Sequence, residues 1–234
     1  MEKSYRIFLC LFFYFPVVFA GNMKLYYERP AEYFEEALVI GNGTMGATLY
    51  GGVKKDKISF NDITLWTGEP ESENSSPDAF NVIPEIRALL DNEDYQGADK
   101  AQYKVQGHYS ENYQPLGTLT IEYLDDTAGI SDYHRWLDIG NATARTQYLK
   151  DGKLFTSDYF ASAPDSVIVI RLKSENKEGI HASLSFDSPL PHSSQVADNE
   201  ISVEGYAAYH SFPVYYKAED KHRYDPERGI HFKT

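Results

Sequence analysis

Hydrophobic and polar residues alternate with a period of two along several segments of the chain, the pattern of a half-buried β-strand. In residues 118–123, Leu119, Ile121 and Tyr123 would share one face of such a strand. Two later segments repeat the pattern, and the residues predicted to share a face in them are Ala182, Leu184 and Phe186, and then Ile201 and Val203. The pattern therefore predicts a mostly β fold.

The clearest predicted hairpin runs from Ala142 to Phe160 and turns at Asp151-Gly152. This dipeptide tolerates positive φ at both turn positions, as a two-residue hairpin turn requires. Residues 167–170 are instead a continuous β-branched run, which predicts a strand buried on both faces.

Residues 84–105 break the β pattern and predict two short helices placed over the β-structure. Pro84 can open the first helix, because its missing N–H costs nothing at the first helical position. The second helix is predicted to begin after Asn92. The residues predicted to follow at helical spacing or to face inward are Ile86, Leu89 and Leu90 in the first helix and Tyr95, Ala98 and Ala101 in the second.

Residues 1–20 have the pattern of a secretory signal peptide. A basic start precedes an apolar run over residues 7–18 and a small-residue cleavage site that ends at Ala20. A membrane anchor is the alternative, but the run is shorter than the roughly 20 residues of a spanning helix, and Pro16 interrupts it. We expect cleavage after Ala20, a secreted or periplasmic protein without a membrane span, and one folded domain over residues 21–234.

The charge and the cysteine content narrow the possible partners. The formal net charge is −13, and such a chain repels phosphate backbones, which argues against a nucleic-acid partner. The single cysteine, Cys10, lies in the predicted signal peptide, so the mature chain would contain no disulfide and no thiol nucleophile.

Known metal and nucleotide motifs are absent from the sequence. The seven histidines form no HxH or HxxxH pair, so no metal site and no cofactor is predicted. Residues 40–46 superficially match a dinucleotide-binding GxGxxG pattern, but residues 47–52 look like a strand and a turn rather than the required helix. Glycoside hydrolysis would need two converging carboxylates. Spacing alone names no such pair among the 35 acidic residues.

The C-terminal residues 229–234 are predicted to begin a strand, with Ile230, Phe232 and Thr234 on one face. A strand that has barely begun at the last residue suggests a domain truncated at its C-terminal end. A natural edge strand at a true terminus is the alternative.

Several ordered blocks resemble the N-terminal domain of glycoside hydrolase family 95, the α-L-fucosidase family. The three most specific stretches contain LYYERPA at 25–31 followed by IGNGTMGA at 40–47, ISFNDITLWTG at 58–68, and YQPLGTL at 113–119. Further blocks follow in the same order, and these are PEIR at 84–87, DY at 94–95, DYHRWLD at 132–138 and FAS at 160–162. Together the blocks cover nearly the whole predicted mature chain.

The resemblance implies a large antiparallel β-sandwich of the supersandwich, galactose-mutarotase-like type. It also implies a secreted, multidomain enzyme that removes terminal α-linked L-fucose from glycans with inversion. In that family the general acid and the base apparatus lie in a following (α/α)6 barrel. The resemblance therefore implies that this chain contains no catalytic residue and packs on such a barrel, and that the full-length enzyme acts on a fucosylated glycan.

Five residues are candidates for the substrate rim or for a contact between domains, because the family's sandwich loops lie near the active site. They are Asn42, Gly43, Trp66, Thr67 and Gln114. Glycine lets a backbone approach a neighbour closely, and tryptophan offers a flat apolar face with an N–H donor. The favoured alternative is that Trp66 belongs to the core and that the glycines shape turns, since large aromatic residues are usually core.

Three hypotheses for function remain open at this point. The chain is an inactive N-terminal module of a fucosidase-like enzyme, a free-standing carbohydrate-binding sandwich, or a scaffold for a separately encoded catalytic domain.

Overall fold

Two five-stranded antiparallel sheets stack face to face in the computed structural model, which describes residues 23–70, 78–107 and 109–234. The first sheet has the order β1-β6-β7-β8-β9, with β1 at Lys24–Tyr27, β6 at Ile130–Asp138, β7 at Thr143–Lys150, β8 at Lys153–Ser162 and β9 at Val167–Ser174. The second has the order β10-β5-β4-β3-β2, with β2 at Leu38–Gly41, β3 at Met45–Leu49, β4 at Lys55–Asp62, β5 at Gly117–Tyr123 and β10 at Ala182–Asp187. The predicted mostly β, antiparallel sandwich is confirmed. The predicted signal peptide at residues 1–20 lies outside the described residues.

Two small sheets extend one end of the sandwich. The three-stranded sheet has the order β11-β12-β15, with β11 at His192–Ala197, β12 at Glu200–Tyr206 and β15 at His231–Lys233. The two-stranded sheet pairs β13 at His210–Ser211 with β14 at His222–Arg223. The strand predicted near the last residue therefore forms, and Phe232 packs on a second small core of Leu65, Leu190 and Ala207.

The main core lies between the two large sheets and follows the predicted alternation. Inward residues of β5 include Ile121 and Tyr123, which are buried as predicted, with Leu119 packed against them. On β10 the predicted face is only partly right, because Leu184 is half-exposed. The buried members of the main core are Leu38, Ile40, Ala47, Leu49, Ile58, Ile121, Tyr123, Ala144, Tyr148, Phe155 and Tyr159.

The predicted hairpin is confirmed as β7 and β8. Lys150 pairs with Lys153, which leaves Asp151 and Gly152 as a two-residue turn. Their φ angles are 52° and 74°, the positive values that this tight turn needs. The turn sequence therefore sets the register of the central pair of the first sheet.

The prediction that residues 167–170 are buried on both faces is wrong. They lie in β9, an edge strand that pairs only with β8 in the described sheet, and Val167 is exposed. A continuous β-branched run indicates strand propensity, but it does not distinguish a central strand from an edge strand.

The two predicted helices form, but their details differ from the prediction. Helix α1 spans Ala79–Asp91, so Pro84 lies inside it rather than at its start. Helix α2 spans Tyr95–Gln102 and begins at the carboxylate of Asp94, which accepts a hydrogen bond from the amide of Gly97 at 2.9 Å. Ala98 and Ala101 are buried as predicted, whereas Tyr95 is exposed. None of the helices in the described ranges is long and apolar enough to cross a membrane.

Two buried charged side chains hold separate parts of the sandwich together. Asp56, only 1 % exposed, accepts hydrogen bonds from the Tyr159 hydroxyl at 2.8 Å and the Gly52 amide at 2.9 Å. Burial raises the pKa of Asp56 to about 6, against the opposing effect of these donors. Arg135 is equally buried, and its guanidinium lies 4.2 Å from the centre of the Tyr27 ring.

Candidate functional site

Most of the site predicted from the sequence is assembled just after β4. The carboxylate of Asp62 accepts hydrogen bonds from the amide of Thr64 at 2.9 Å and from its hydroxyl at 2.6 Å, which turns the chain out of the strand. Leu65 then enters the second small core. The next residue, Trp66, pairs with Tyr113 through an isolated antiparallel bridge.

Backbone hydrogen bonds hold this segment between two other stretches of the chain. The amide of Thr67 donates to the Asn112 carbonyl at 2.8 Å, and the amide of Gln114 donates to the Leu65 carbonyl at 2.9 Å. On the other side the amide of Gly68 donates to the Tyr209 carbonyl at 3.1 Å. Residues 65–68 are therefore a short strap that fixes the positions of both neighbours.

A carboxylate network, centred on Glu111, lies behind the strap. Glu111 accepts hydrogen bonds from the Thr67 hydroxyl, from Nδ1 of His210 at 2.9 Å and from the Ser211 amide at 3.2 Å. The Thr67 hydroxyl in turn accepts from the Asn112 amide at 2.9 Å. We call these five residues the Glu111 network. Because three donors meet one carboxylate, the network locks the strap onto β13.

The proton positions around His210 follow from its two partners. A carboxylate only accepts, so Nδ1 carries the proton that faces Glu111. The other ring nitrogen, Nε2, lies 3.0 Å from the Tyr109 hydroxyl. Burial first, and then the charge of Glu111, raise the pKa of Tyr109, so the phenol remains protonated and can donate to an unprotonated Nε2. The result is a directed chain from Tyr109 through His210 to Glu111.

Aromatic rings surround this chain of hydrogen bonds. The ring of Phe212 meets His210 edge-on at 4.5 Å between centroids, and Tyr216 stacks on Phe212 at 5.6 Å. The ring of Tyr109 lies 5.6 Å from that of Tyr216. Such aromatic walls limit water access to a polar group and strengthen its hydrogen bonds.

The Trp66 side chain is not part of the core, so that half of the favoured interpretation is wrong, whereas Gly43 does shape a turn. Trp66 is 44 % exposed, and its ring lies 5.4 Å from that of Tyr113. The indole N–H donates to the carbonyl of Ile63 at 3.0 Å. The exposed residues Ile63, Trp66 and Tyr113 form a contiguous apolar surface, which we call the Trp66 patch.

The Asn42-Gly43 turn reaches the same end of the sandwich. Asn42 accepts hydrogen bonds from the amides of Thr44 and Met45 at 3.0 and 2.9 Å, so its side chain shapes the turn. Gly43 has a φ of +96°, and a Cβ at this position would meet no atom within 4 Å. The Thr44 carbonyl accepts from the amide of Ile63 at 2.7 Å, which connects the turn to the Trp66 patch.

The five predicted site residues thus play different parts in one region. Gly43 and Trp66 face outward, whereas Thr67 and Gln114 are buried. Sequence reasoning missed Tyr109, Glu111 and His210, the polar centre of the region. The one available signal was that residues 109 and 111 immediately precede the YQPLG block, and nothing in the sequence links that block to residue 210.

Glycoside hydrolysis needs two carboxyl groups on opposite sides of a sugar, one of them protonated. Among the described residues, the carboxylate of Glu111 already accepts hydrogen bonds from three donors. Asp56 has a raised pKa but is sealed in the core. The described residues also contain no group of three or more His, Cys, Asp or Glu side chains able to hold a metal ion.

Comparison with known proteins gives one family match and several relatives. The model of the glycosyl hydrolase family 65 N-terminal domain matches residues 25–234. Alpha-L-fucosidase 2 of Arabidopsis thaliana is 31 % identical over 219 residues, which cover 91 % of this chain and 26 % of that protein. A probable alpha-fucosidase A of Aspergillus niger is 30 % identical over 169 residues, covering 68 % and 21 %. A probable alpha-fucosidase A of Aspergillus oryzae is 27 % identical over 145 residues, covering 59 % and 20 %.

The alignments show how much of each relative this chain represents. It spans about a quarter or less of the length of these three proteins. The match to the family model nevertheless includes every strand of both large sheets except the first residue of β1. The chain therefore belongs to the family of glycosyl hydrolase family 65 N-terminal domains, and over most of its length it is similar to part of an alpha-L-fucosidase.

Proposed function

We propose that this chain is the non-catalytic N-terminal module of a secreted, α-L-fucosidase-like glycoside hydrolase of family 95. The parent enzyme would remove terminal α-linked L-fucose from glycans with inversion, at a site in a following (α/α)6 barrel. One observation carries the proposal: 91 % of this chain aligns with only 26 % of alpha-L-fucosidase 2. Export with cleavage after Ala20 is part of the proposal, and a mature protein that still carries residues 1–20 would contradict it.

The Trp66 patch is the proposed contact surface with the barrel. Three neighbouring apolar side chains exposed at one end of a sandwich are expected where another domain packs. The strap behind the patch is fixed by the Glu111 network, which explains why buried Thr67 lies beside exposed Trp66. In this proposal Trp66 and Gly43 contact the barrel or its substrate rim, while Asn42, Thr67 and Gln114 position them.

A chimera tests this role. The part of Arabidopsis alpha-L-fucosidase 2 that aligns with this chain is replaced by residues 23–234, and release of fucose from 2′-fucosyllactose is measured. We expect fucose release by the chimera and a loss of about tenfold or more with Trp66→Ala, because an aromatic contact is among the strongest at such a surface. Tyr215→Ala is the matched control, since Tyr215 is also an exposed aromatic residue but lies outside the patch.

Two outcomes would contradict the proposal. The first is a folded, secreted chimera without activity, with folding judged by a cooperative melt. The second is equal activity of the Trp66 and Tyr215 variants, which would show that the Trp66 patch does not contact the barrel. The competing hypothesis of a free-standing carbohydrate-binding sandwich is favoured if the chain alone binds fucosylated oligosaccharides and Trp66→Ala abolishes that binding.

A further inference from the structure

A cavity of about 280 Å³ opens at the end of the sandwich opposite the Trp66 patch. It lies where the β3–β4, β5–β6, β7–β8 and β9–β10 connections meet, whereas the patch follows the other end of β4. The cavity is slightly smaller than the range of roughly 300–1,000 Å³ typical of sites for small organic ligands. Its size therefore suits a ligand no larger than about one sugar ring.

The floor of the cavity is aromatic and includes the hydroxyl of Tyr148. Tyr148 lines the cavity, is only 5 % exposed, and stacks on Phe155 with 4.7 Å between ring centroids. The Tyr123 ring meets the edge of Phe155 at 5.2 Å. The Tyr148 hydroxyl hydrogen-bonds to none of the described residues and is not fully buried, since Thr48 Oγ1 is the one fully buried side-chain polar atom without a partner among them. This hydroxyl is therefore available to a ligand.

The rim combines hydrogen-bond donors and acceptors on flexible polar side chains. Lys150 lies 2.8 Å from Asp126, Lys153 lies 3.2 Å from Asn176, and His181 lies 3.5 Å from Asp125. Together with Asp151 and Glu178, the lining carries four carboxylates against two lysines. The excess of carboxylates disfavours an anion, and the paired charges disfavour a purely apolar ligand.

We propose that this cavity binds one neutral monosaccharide unit, with the Tyr148 hydroxyl as its deepest hydrogen-bonding group. A pyranose ring presents apolar C–H groups, which match the aromatic floor, and several hydroxyls, which match the alternating donors and acceptors of the rim. Burial raises the pKa of Tyr148, so the phenol stays protonated and can donate. This site does not depend on the proposed function, since it lies at the other end of the sandwich from the Trp66 patch.

Protein-observed NMR titration of the isotope-labelled full chain tests the proposal with L-fucose, D-galactose, D-glucose and D-mannose. We expect saturable, millimolar binding of at least one sugar, with protein shifts concentrated in residues 176–181. Tyr148→Phe removes only the hydroxyl and keeps the stacked ring, so we expect a three- to tenfold loss of affinity, the effect of about one hydrogen bond. Tyr215→Phe, on an exposed ring outside the cavity, should leave the affinity unchanged.

A second variant at the rim keeps the test informative if Tyr148→Phe fails to fold. Lys153→Met removes a donor from the rim, and binding should weaken in it as well. The proposal is overturned if none of the four sugars binds, if binding survives both substitutions unchanged, or if only inorganic phosphate or Ca²⁺ binds at the cavity.

Discussion

The polar centre of the site depends on Gly68, because this residue has no side chain to collide with Glu111. Gly68 has a φ of +115°, and a Cβ at this position would lie 2.9 Å from Cγ of Glu111. That contact is shorter than van der Waals distance, so any other residue would displace the carboxylate that holds His210 and Thr67. The conformation of one backbone position therefore determines whether the Glu111 network can form.

Gly68→Ala should destabilise the protein by about 2–3 kcal/mol, through backbone strain plus the clash with Glu111. Gly43→Ala is the matched control, because Gly43 also has a positive φ but its Cβ would meet no atom within 4 Å. It should lose only about 1 kcal/mol, the strain alone. Urea unfolding measures both values, and equal losses would show that Glu111 does not restrict residue 68.

Asp56 should make the stability of the fold depend on pH. Its folded pKa of about 6 lies above its ordinary value of 3.8, so the folded state binds this proton more tightly than the unfolded state. The stabilisation is complete below about pH 4 and is lost as pH rises through 6. Two pKa units correspond to about 3 kcal/mol.

Asp56→Asn removes this titration. The free energy of unfolding of the wild type should therefore fall relative to that of the variant between pH 4 and pH 7. Chemical denaturation at several pH values measures the difference, and parallel pH profiles for the two proteins would refute the role of Asp56.

At the scale of elements, the sequence predicted the features that depend only on residues close together in the chain. The Asp151-Gly152 turn and the face of β5 were predicted correctly because turn conformation and alternation are local properties. The position of β9 at a sheet edge depends on which strands pair with it, and its own residues do not indicate that. The start of α1 at Ala79, five residues before Pro84, was not predicted either.

Arg135 joins the segment between β1 and β2 to the first sheet. Its Nε donates to the carbonyl of Arg29 at 2.8 Å, and its Nη1 donates to the carbonyl of Glu36 at 2.9 Å. No sequence pattern predicted these hydrogen bonds of Arg135, since both partners are backbone atoms about 100 residues away. The buried cation lies in β6, beside Tyr27 of β1.

Arg135→Met should reduce the free energy of unfolding by about 3 kcal/mol, because two part-buried carbonyls lose charged donors. The segment at residues 29–36 should also become sensitive to limited proteolysis. Arg171→Met is the control, since Arg171 is exposed and pairs with Asp158 at the surface, where such pairs contribute about 1 kcal/mol or less. Similar losses in the two variants would mean that the carbonyl contacts of Arg135 do not hold the segment.

At the scale of the whole molecule, blocks that are far apart in the sequence meet in one region of the fold. The stretches at 58–68 and 113–119 meet through the bridge between Trp66 and Tyr113, so two separate blocks form one surface. His210 could not be found from the sequence, because it reaches Glu111 only after the small sheet of β13 and β14 folds against the strap. Long-range pairing of this kind leaves no local signature.

The most direct test of the central claim is the activity of this chain alone, because the claim is that a folded β-sandwich lacks the acid and base for glycoside cleavage. The chain is incubated with 2′-fucosyllactose between pH 4 and pH 8, and NMR follows the release of L-fucose. An active α-L-fucosidase serves as the positive control. The account predicts release no faster than in the blank. Fucose release by the purified chain that disappears with Glu111→Gln, or with Asp126→Asn in the opposite cavity, would contradict it.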